Sequence, residues 1–187
     1  MSNLRIRFDP ANWYWLATDG RLFSSASGTL VQPDDTTYVA WLAAGFTPTP
    51  WPQDTNNVQS AAALQDTIAP YGLFANLSYY AASARFNRET GGFTVGGNLF
   101  PTDRDTQSKL TAAVVLAHVN PSATFTWKLA DGTFTPPLTA SQLISSASAI
   151  GAFVNALFAA EDTINQGITS GTITTRAQID AAIAAVT

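Results

Sequence analysis

The chain has 187 residues, of which 46% are hydrophobic and only 12% are charged, against about 25% charged in a typical domain. Nine Lys and Arg residues against 13 Asp and Glu residues give a formal net charge of −4, which argues against nucleic-acid binding through clustered basic side chains. The lack of cysteine excludes disulfides and thiolate chemistry, and the single histidine leaves almost no multi-histidine metal site.

The first third of the chain, residues 1–52, is predicted to be a small β-rich domain with one helix. Short apolar or alternating runs predict strands at 4–8, 13–16, 21–24 and 28–31. Asp19 and Gly20 predict a hairpin turn. Acidic residues after Pro33 predict a helix start, and Gly45 predicts its end.

Residues 53–72 are predicted to be a linker with one helix. Just before it, Pro48, Pro50 and Pro52 around Trp51 predict an extended linker. Apolar spacing predicts a helix over 58–68, and Pro70 interrupts the pattern. The linker therefore separates the first domain from the remaining residues, 73–187.

Residues 73–187 alternate predicted helices and hairpins. We expect a helix over 73–88, a hairpin with a Gly-Gly turn over 91–100, and a helix capped by Asp103. A second hairpin is expected around the Asp-Gly turn at 131–132, followed by the longest helix and a last short one. The fold class is therefore α+β: a small β-rich N-terminal unit with one helix, then a helical domain with two short hairpins and a long C-terminal helix.

The longest helix is defined by local signals at both ends. Thr139 and Gln142 form a capping box at its start, and Gly167 and Gly171 are expected to break it. Its apolar positions follow a heptad pattern: Leu143, Ala147, Ile150, Val154, Leu157, Glu161 and Ile164. The stripe fits packing on the chain's own hairpins, or a homo-oligomer seam. Candidate interaction residues on it are Leu143, Ile150, Val154 and Leu157.

Four of the five tryptophans fall in the first 51 residues. Trp13 and Trp15 share one face of a predicted strand with period two, and Trp51 lies between two prolines. Large aromatic side chains either fill a small core or anchor an interface. Trp13, Trp15 and Trp51 are therefore also candidate interaction residues, with core packing as the alternative.

No group of side chains in the sequence predicts a reaction. His118 suits a helix C-terminus, and Asp103 and Asp105 suit the first turn of a helix. Glu161 lies on the apolar stripe, as a boundary residue or bonded to a partner, and its neighbour Asp162 points about 100° away. We predict no catalytic, cofactor-binding or metal-binding residue and no cofactor, and expect that the protein is not an enzyme.

Residues 75–185 carry short motifs that are fairly specific in combination: NLSYYAA at 76–82, TDR at 102–104, WKLADG at 127–132 and GTITT at 171–175. In these motifs the segment resembles a bacteriophage and prophage family of unknown function, which is found in small tail-associated proteins and beside tail-fibre genes. Two prolines at 136–137 depart from the usual pattern. The resemblance implies no catalytic residue.

The resemblance implies a structural or adaptor protein of the phage tail, associated with the tail fibre or baseplate, that acts by protein–protein contacts. The alternatives are a tail-fibre assembly chaperone and a receptor-binding module that stacks host glycan on exposed aromatic rings. The expected partners are other tail proteins or a second copy of the chain, with no nucleic acid. No run of about 18 apolar residues is present, so no membrane insertion is expected. The expected location is the virion tail, after synthesis in the bacterial cytoplasm.

Overall fold

A computed structural model describes residues 8–187. The chain is mixed α+β, as the sequence predicts, and it divides into two compact units. The first unit ends at Tyr80 and the second spans Ala81–Thr187. The strand predicted for residues 4–8 lies outside the described residues except for Phe8, which is not in a strand.

The first unit is built on a four-stranded sheet. Its strands are β1 (Tyr14–Leu16), β2 (Leu22–Ser24), β3 (Thr29–Val31) and β4 (Thr49–Pro50), in the order β3-β2-β1-β4. The predicted hairpin between β1 and β2 is confirmed, with Gly20 at φ 91°. The proline-rich segment is not only a linker, because Thr49 and Pro50 pair in parallel with β1. Proline is tolerated there because β4 is an edge strand.

Two helices complete the first unit. Helix α1 (Thr36–Ala43) begins where the Asp35 carboxylate accepts the backbone N–H groups of Thr37 and Tyr38. Helix α2 (Ala61–Ile68) begins three residues later than predicted, because Ser60 caps it through the Ala63 N–H, and a 3₁₀ turn (Ala69–Tyr71) follows. Leu64 and Ile68 of α2 are fully buried, so the segment interpreted as a linker and helix also supplies core.

The core of the first unit is aromatic. The ring of Trp41 lies in its middle, with ring centroids 5.2 Å from Trp13, 4.9 Å from Tyr14 and 5.0 Å from the stacked Phe46. Edge-to-face and offset-stacked pairs of this kind stabilise a core beyond the area they bury. A unit with such short strands thus obtains its packed interior from a few large rings.

The second unit combines helices with two small antiparallel sheets. Helix α3 (Leu77–Thr90) spans the boundary between the units and leads into the hairpin β5 (Phe93–Val95) and β6 (Asn98–Phe100). Helix α4 (Arg104–Val119) follows, capped by Asp103 as predicted. The second predicted hairpin forms only in part: β7 (Thr124–Phe125) pairs with β8 (Leu138–Thr139), and residues 128 and 134 form one isolated bridge.

Helix α5 (Ala140–Ser170) is the longest in the described chain, with 31 residues. The predicted capping box of Thr139 and Gln142 is present, and a second one starts α6 (Arg176–Ala184) at Thr175. Gly171 ends α5 at φ 77° as predicted, but Gly167 does not break it. A Cβ on Gly167 would lie 2.8 Å from Cδ1 of Ile173, so a larger residue there would force the Ile173 side chain to shift.

Candidate functional site

The tryptophans proposed as interaction residues lie in the core of the first unit. Trp13, Trp15 and Trp51 are only 7%, 1% and 4% exposed. The indole N–H of Trp13 donates to the Thr49 hydroxyl at 2.8 Å, so its polar atom is satisfied internally. These three side chains are therefore core residues rather than surface anchors. A small unit with such short strands needs large buried rings to fill its core.

Trp51 is held against its own unit by three contacts. Its indole N–H donates to the Ser60 carbonyl at 2.8 Å, and its own carbonyl accepts the Gln59 side-chain amide at 2.9 Å. The Arg21 guanidinium lies 4.7 Å from the centre of its ring, within cation–π range. Of the two alternatives for Trp51, the structure shows the packing one.

The heptad stripe of α5 divides into two sets. Leu143, Ile150 and Leu157 are buried within the second unit, so they are core residues rather than an exposed seam. They are inward because the helix packs against α4 and the small sheets along this face. Val154 is half-buried and lines a groove between α4 and α5. Ile150, although only 3% exposed, also lines this groove, so two of the four proposed residues on the stripe reach a surface feature.

A buried carboxylate, missed in the sequence, is the centre of an ionic network in the second unit. Glu89, on α3, is 1% exposed. One carboxylate oxygen accepts the Arg85 guanidinium, one turn earlier on the same helix. The other accepts the Gln107 amide at 3.2 Å and lies 3.6 Å from Nε of Arg104. The charge of Glu89 is therefore paired on both sides, as a buried carboxylate requires.

The network extends to α5 through Arg85. Its Nε donates to the Glu161 carboxylate at 2.6 Å, and its guanidinium lies 4.5 Å from the ring centre of Phe158. The stripe residue Glu161 thus bonds to a partner, one of the two sequence alternatives. Because every carboxylate oxygen of Glu89 is occupied, this cluster stabilises helix packing rather than offering a free acid or base.

The exposed ionisable groups singled out in the sequence do not converge. His118 is exposed in the last turn of α4. Asp103 caps that helix, and hydrogen bonds from the Thr106 side chain and backbone lower the pKa of its carboxyl. Within residues 8–187, no group of three or more His, Asp or Glu side chains is placed to hold a metal ion.

A cleft of about 550 Å³ opens in the second unit beside the β5–β6 hairpin. Its walls come from the end of α3, the start of α4 and the loop between β7 and β8: Thr90, Gly91, Gly92, Pro101, Thr106, Lys109, Thr126, Trp127, Lys128, Leu129, Ala130 and Phe134. These residues include two lysines and two aromatic rings but no acid. A hydrogen bond to Asp105 raises the pKa of Lys109.

A second surface feature is a groove of about 340 Å³ between α4 and α5. None of its lining residues is charged: Gln107, Leu110, Thr111, Val114, Ile144, Ala147, Ser148, Ile150, Gly151 and Val154. On α4, Val115 lies one turn after the lining residue Thr111 and Val119 one turn further on, and these two valines are 59% and 77% exposed. We call the groove and these two valines the α4–α5 face.

Helix α5 also meets the length and composition expected of a helix that crosses a membrane. This property is weak evidence by itself, because the core helix of a soluble protein meets the same criteria. The absence of membrane insertion stays a prediction.

Comparison with known families identifies the second half of the chain. A family described as Domain of unknown function (DUF4376) matches residues 73–186. The chain belongs to the DUF4376 family. The DUF4376 segment covers α3 to α6, and it therefore contains the ionic network, the cleft and the α4–α5 face. No curated protein and no solved structure gives a significant match to the chain.

The functional candidates of the DUF4376 segment were only partly visible in the sequence. Trp127 and Lys128 belong to the WKLADG motif, which carries the family resemblance but contains no local sign of a cleft. Glu89 gave one usable signal, an Arg85–Glu89 pair at the i, i+4 spacing of a helix. Its burial could not be read from that spacing, since exposed helix surfaces carry the same pairs.

Proposed function

We propose that this DUF4376 protein is a non-enzymatic structural or adaptor protein of a bacteriophage tail, which binds other tail proteins through the α4–α5 face. The observation that carries the proposal is the exposed, uncharged apolar surface formed by Val115, Val119 and the neighbouring groove. Exposed apolar patches of this kind are typical of protein interaction sites. The motif resemblance to tail-associated phage proteins supports the choice of partner.

The charge distribution favours a protein partner at this face. No charged residue occurs over 110–117 of α4 or over 140–160 of α5. A partner that covers these segments does not have to desolvate a charged side chain of this protein, and such desolvation is a major cost of burying polar surface. The expected occupant is an uncharged, apolar helix or strand of another tail protein.

The arrangement of the acids supports a role without chemistry. Glu89 and Glu161 are both bound to Arg85, and Asp103 is used as a helix cap. A general acid or base needs a free proton-transfer position within reach of a substrate. These three carboxylates instead hold elements of the second unit in place.

The proposal is tested on particles purified from the phage or prophage that encodes the chain. We expect mass spectrometry to find the protein in the particles, and the double variant Val115→Asp/Val119→Asp to be lost from them while remaining folded. The matched control is Val58→Asp, since Val58 is also exposed but lies in the first unit.

Two results would contradict this function. A wild-type protein that is abundant in infected cells and missing from purified particles would favour the assembly-chaperone alternative. Particles that retain the double Asp variant at the wild-type level would exclude the α4–α5 face as the contact.

A further inference from the structure

The cleft beside the β5–β6 hairpin has the size and lining of a ligand site. Its volume of about 550 Å³ falls within the range of about 300–1,000 Å³ that is common for small-molecule sites. It shares no lining residue with the groove of the α4–α5 face. Substitutions can therefore alter the lining of the cleft without changing a lining residue of the groove.

The cleft concentrates positive charge in an acidic chain. Two of the nine basic residues line it, and none of the 13 acids does. Lys109 is paired with Asp105, whereas the Lys128 ammonium has no ion-pair or hydrogen-bond partner among residues 8–187. An exposed, unpaired cation in a cleft without carboxylates favours an anionic ligand.

Two aromatic rings line the same cleft. Phe134 is 63% exposed, far more than any tryptophan of the first unit, and Trp127 is half-buried. The Thr126 hydroxyl, also in the lining, has no hydrogen-bond partner in the described part of the chain. The cleft thus combines a flat apolar surface, a free hydroxyl and a free ammonium.

We propose that this cleft binds a carboxylated saccharide, such as a sialic acid or uronic acid residue of a glycan. The C–H face of a sugar ring packs on the aromatic rings, its hydroxyls bond to Thr126, and its carboxylate pairs with Lys128. A charge-assisted hydrogen bond of this kind is stronger than a neutral one. This site differs from Trp13, Trp15 and Trp51 of the first unit, which are buried.

The chemistry of the cleft disfavours phosphate as the anion. Phosphate sites commonly use the forked guanidinium of arginine or free backbone N–H groups of a glycine-rich loop. No arginine lines this cleft, and the Gly92 N–H already donates to the Thr102 hydroxyl at 2.9 Å.

An acidic peptide also fits poorly. Peptides that bind in extended form pair with free backbone groups at a strand edge. In this loop the N–H of Leu129 donates to Thr133, that of Ala130 to Leu99 and that of Thr135 to Trp127. The saccharide, which bonds to side chains, needs none of these backbone groups.

The test is titration of the isotope-labelled full chain with sialyllactose and with a glucuronate disaccharide, followed by amide NMR. We expect both sugars to shift signals of the residues that line the cleft. Neutral lactose is the matched control for sialyllactose, and we expect it to bind at least about tenfold more weakly, as the loss of a charge-assisted hydrogen bond implies.

Variants at the cleft separate charge from stacking. Lys128→Gln should raise the dissociation constant of sialyllactose by about tenfold, and Lys128→Arg, which keeps the charge, should stay near wild type. Phe134→Ala should also weaken binding, whereas Phe158→Ala, an exposed ring on α5 outside the cleft, should not. Far-UV circular dichroism checks that each variant is folded.

Four results would overturn the proposal. They are no shifts with either acidic sugar, shifts that map outside the cleft, lactose binding as well as sialyllactose, and tighter binding of inorganic phosphate or tetraglutamate in the same cleft. The protein's presence in or absence from purified particles does not affect any of these readouts.

Discussion

The two units of the molecule achieve a packed interior by different means. The first unit surrounds Trp41 with aromatic rings, and the indole groups of Trp13 and Trp51 find hydrogen-bond partners inside it. The second unit combines aliphatic side chains with the buried rings of Phe100 and Phe153, and it buries an acid, Glu89, among positively charged and amide groups. The buried polar groups named here have hydrogen-bond partners in both units, but only those of the second unit are also held by ion pairs.

The difference bears on where function can reside. The aromatic side chains of the first unit looked like binding residues in the sequence and proved to be core. The second unit keeps two aromatic rings, two lysines and an uncharged apolar groove at its surface. The first unit has a cleft of its own, about 690 Å³, beside α1, but the cleft with the two lysines and the uncharged groove both belong to the DUF4376 segment.

Replacing a tryptophan in each unit tests the contrast most strongly. Trp41→Ala should lower the free energy of unfolding by about 3–5 kcal/mol, because it removes the ring at the centre of an aromatic cluster. Trp127→Ala should cost less than half as much, since Trp127 is only half-buried. Urea unfolding followed by far-UV circular dichroism measures both; equal losses would show that Trp127 is also a core residue.

Removing the buried acid tests whether the second unit depends on its ionic network. Glu89→Ala should lower the free energy of unfolding by about 3–5 kcal/mol, because Arg85 would lose a buried partner. The control Asp105→Ala breaks the exposed pair with Lys109 and should have a far smaller effect, because solvent screens an exposed ion pair. Similar small losses for both variants, in the same unfolding assay, would mean that water replaces the carboxylate at no cost.

Shortening side chains on α5 distinguishes core from oligomer seam. Leu157→Ala should cost about 2–5 kcal/mol at any protein concentration, because Leu157 is fully buried within one chain. Val154→Ala, at a half-buried position of the same stripe, should cost clearly less. Denaturation at several protein concentrations, with molar mass from light scattering, checks this; a concentration-dependent midpoint for the wild type would instead indicate a seam.

The cap of α4 should give the smallest effect and a pH signature. Asp103→Ala should lower stability by about 0.5–2 kcal/mol near neutral pH. The folded carboxyl has a pKa below its ordinary 3.8, so its contribution is complete above that value and is lost as the pH falls through the lowered folded pKa. Asp103→Asn should keep much of the cap and show a weaker acid dependence in thermal melts. If the melting temperatures of Asp103→Asn and of the wild type fell equally as the pH was lowered, this role of Asp103 would be contradicted.

Features set by neighbouring residues were predictable from the sequence. The capping boxes at Thr139 and Thr175, the Asp103 cap and the turn at Gly20 all depend on groups within a few residues. The same holds for the order of helices and hairpins in the second unit. These signals were sufficient for the α+β class and for most element positions.

Features that depend on distant residues were not predictable. Arg85 and Glu161 are 76 residues apart in the chain, and no local pattern links them. Pro50 predicts a linker because a proline favours extended chain locally. Its pairing with β1 depends on residues far away in the sequence, so no local pattern indicates it. Gly167 predicts a helix end, yet it lies inside α5, close to the side chain of Ile173. The cleft is similar, since its walls come from three separate segments.

The forked side chain of Arg85 has a consequence for helix alignment. One planar guanidinium contacts an acid on its own helix and another on α5 at the same time. Sliding α3 along α5 by a single residue, about 1.5 Å of rise, would stretch the bond to Glu161 while leaving the bond to Glu89 unchanged. Lysine, a point charge without a fork, could not hold both acids in this way. Arg85 therefore fixes the axial register of two helices with one residue.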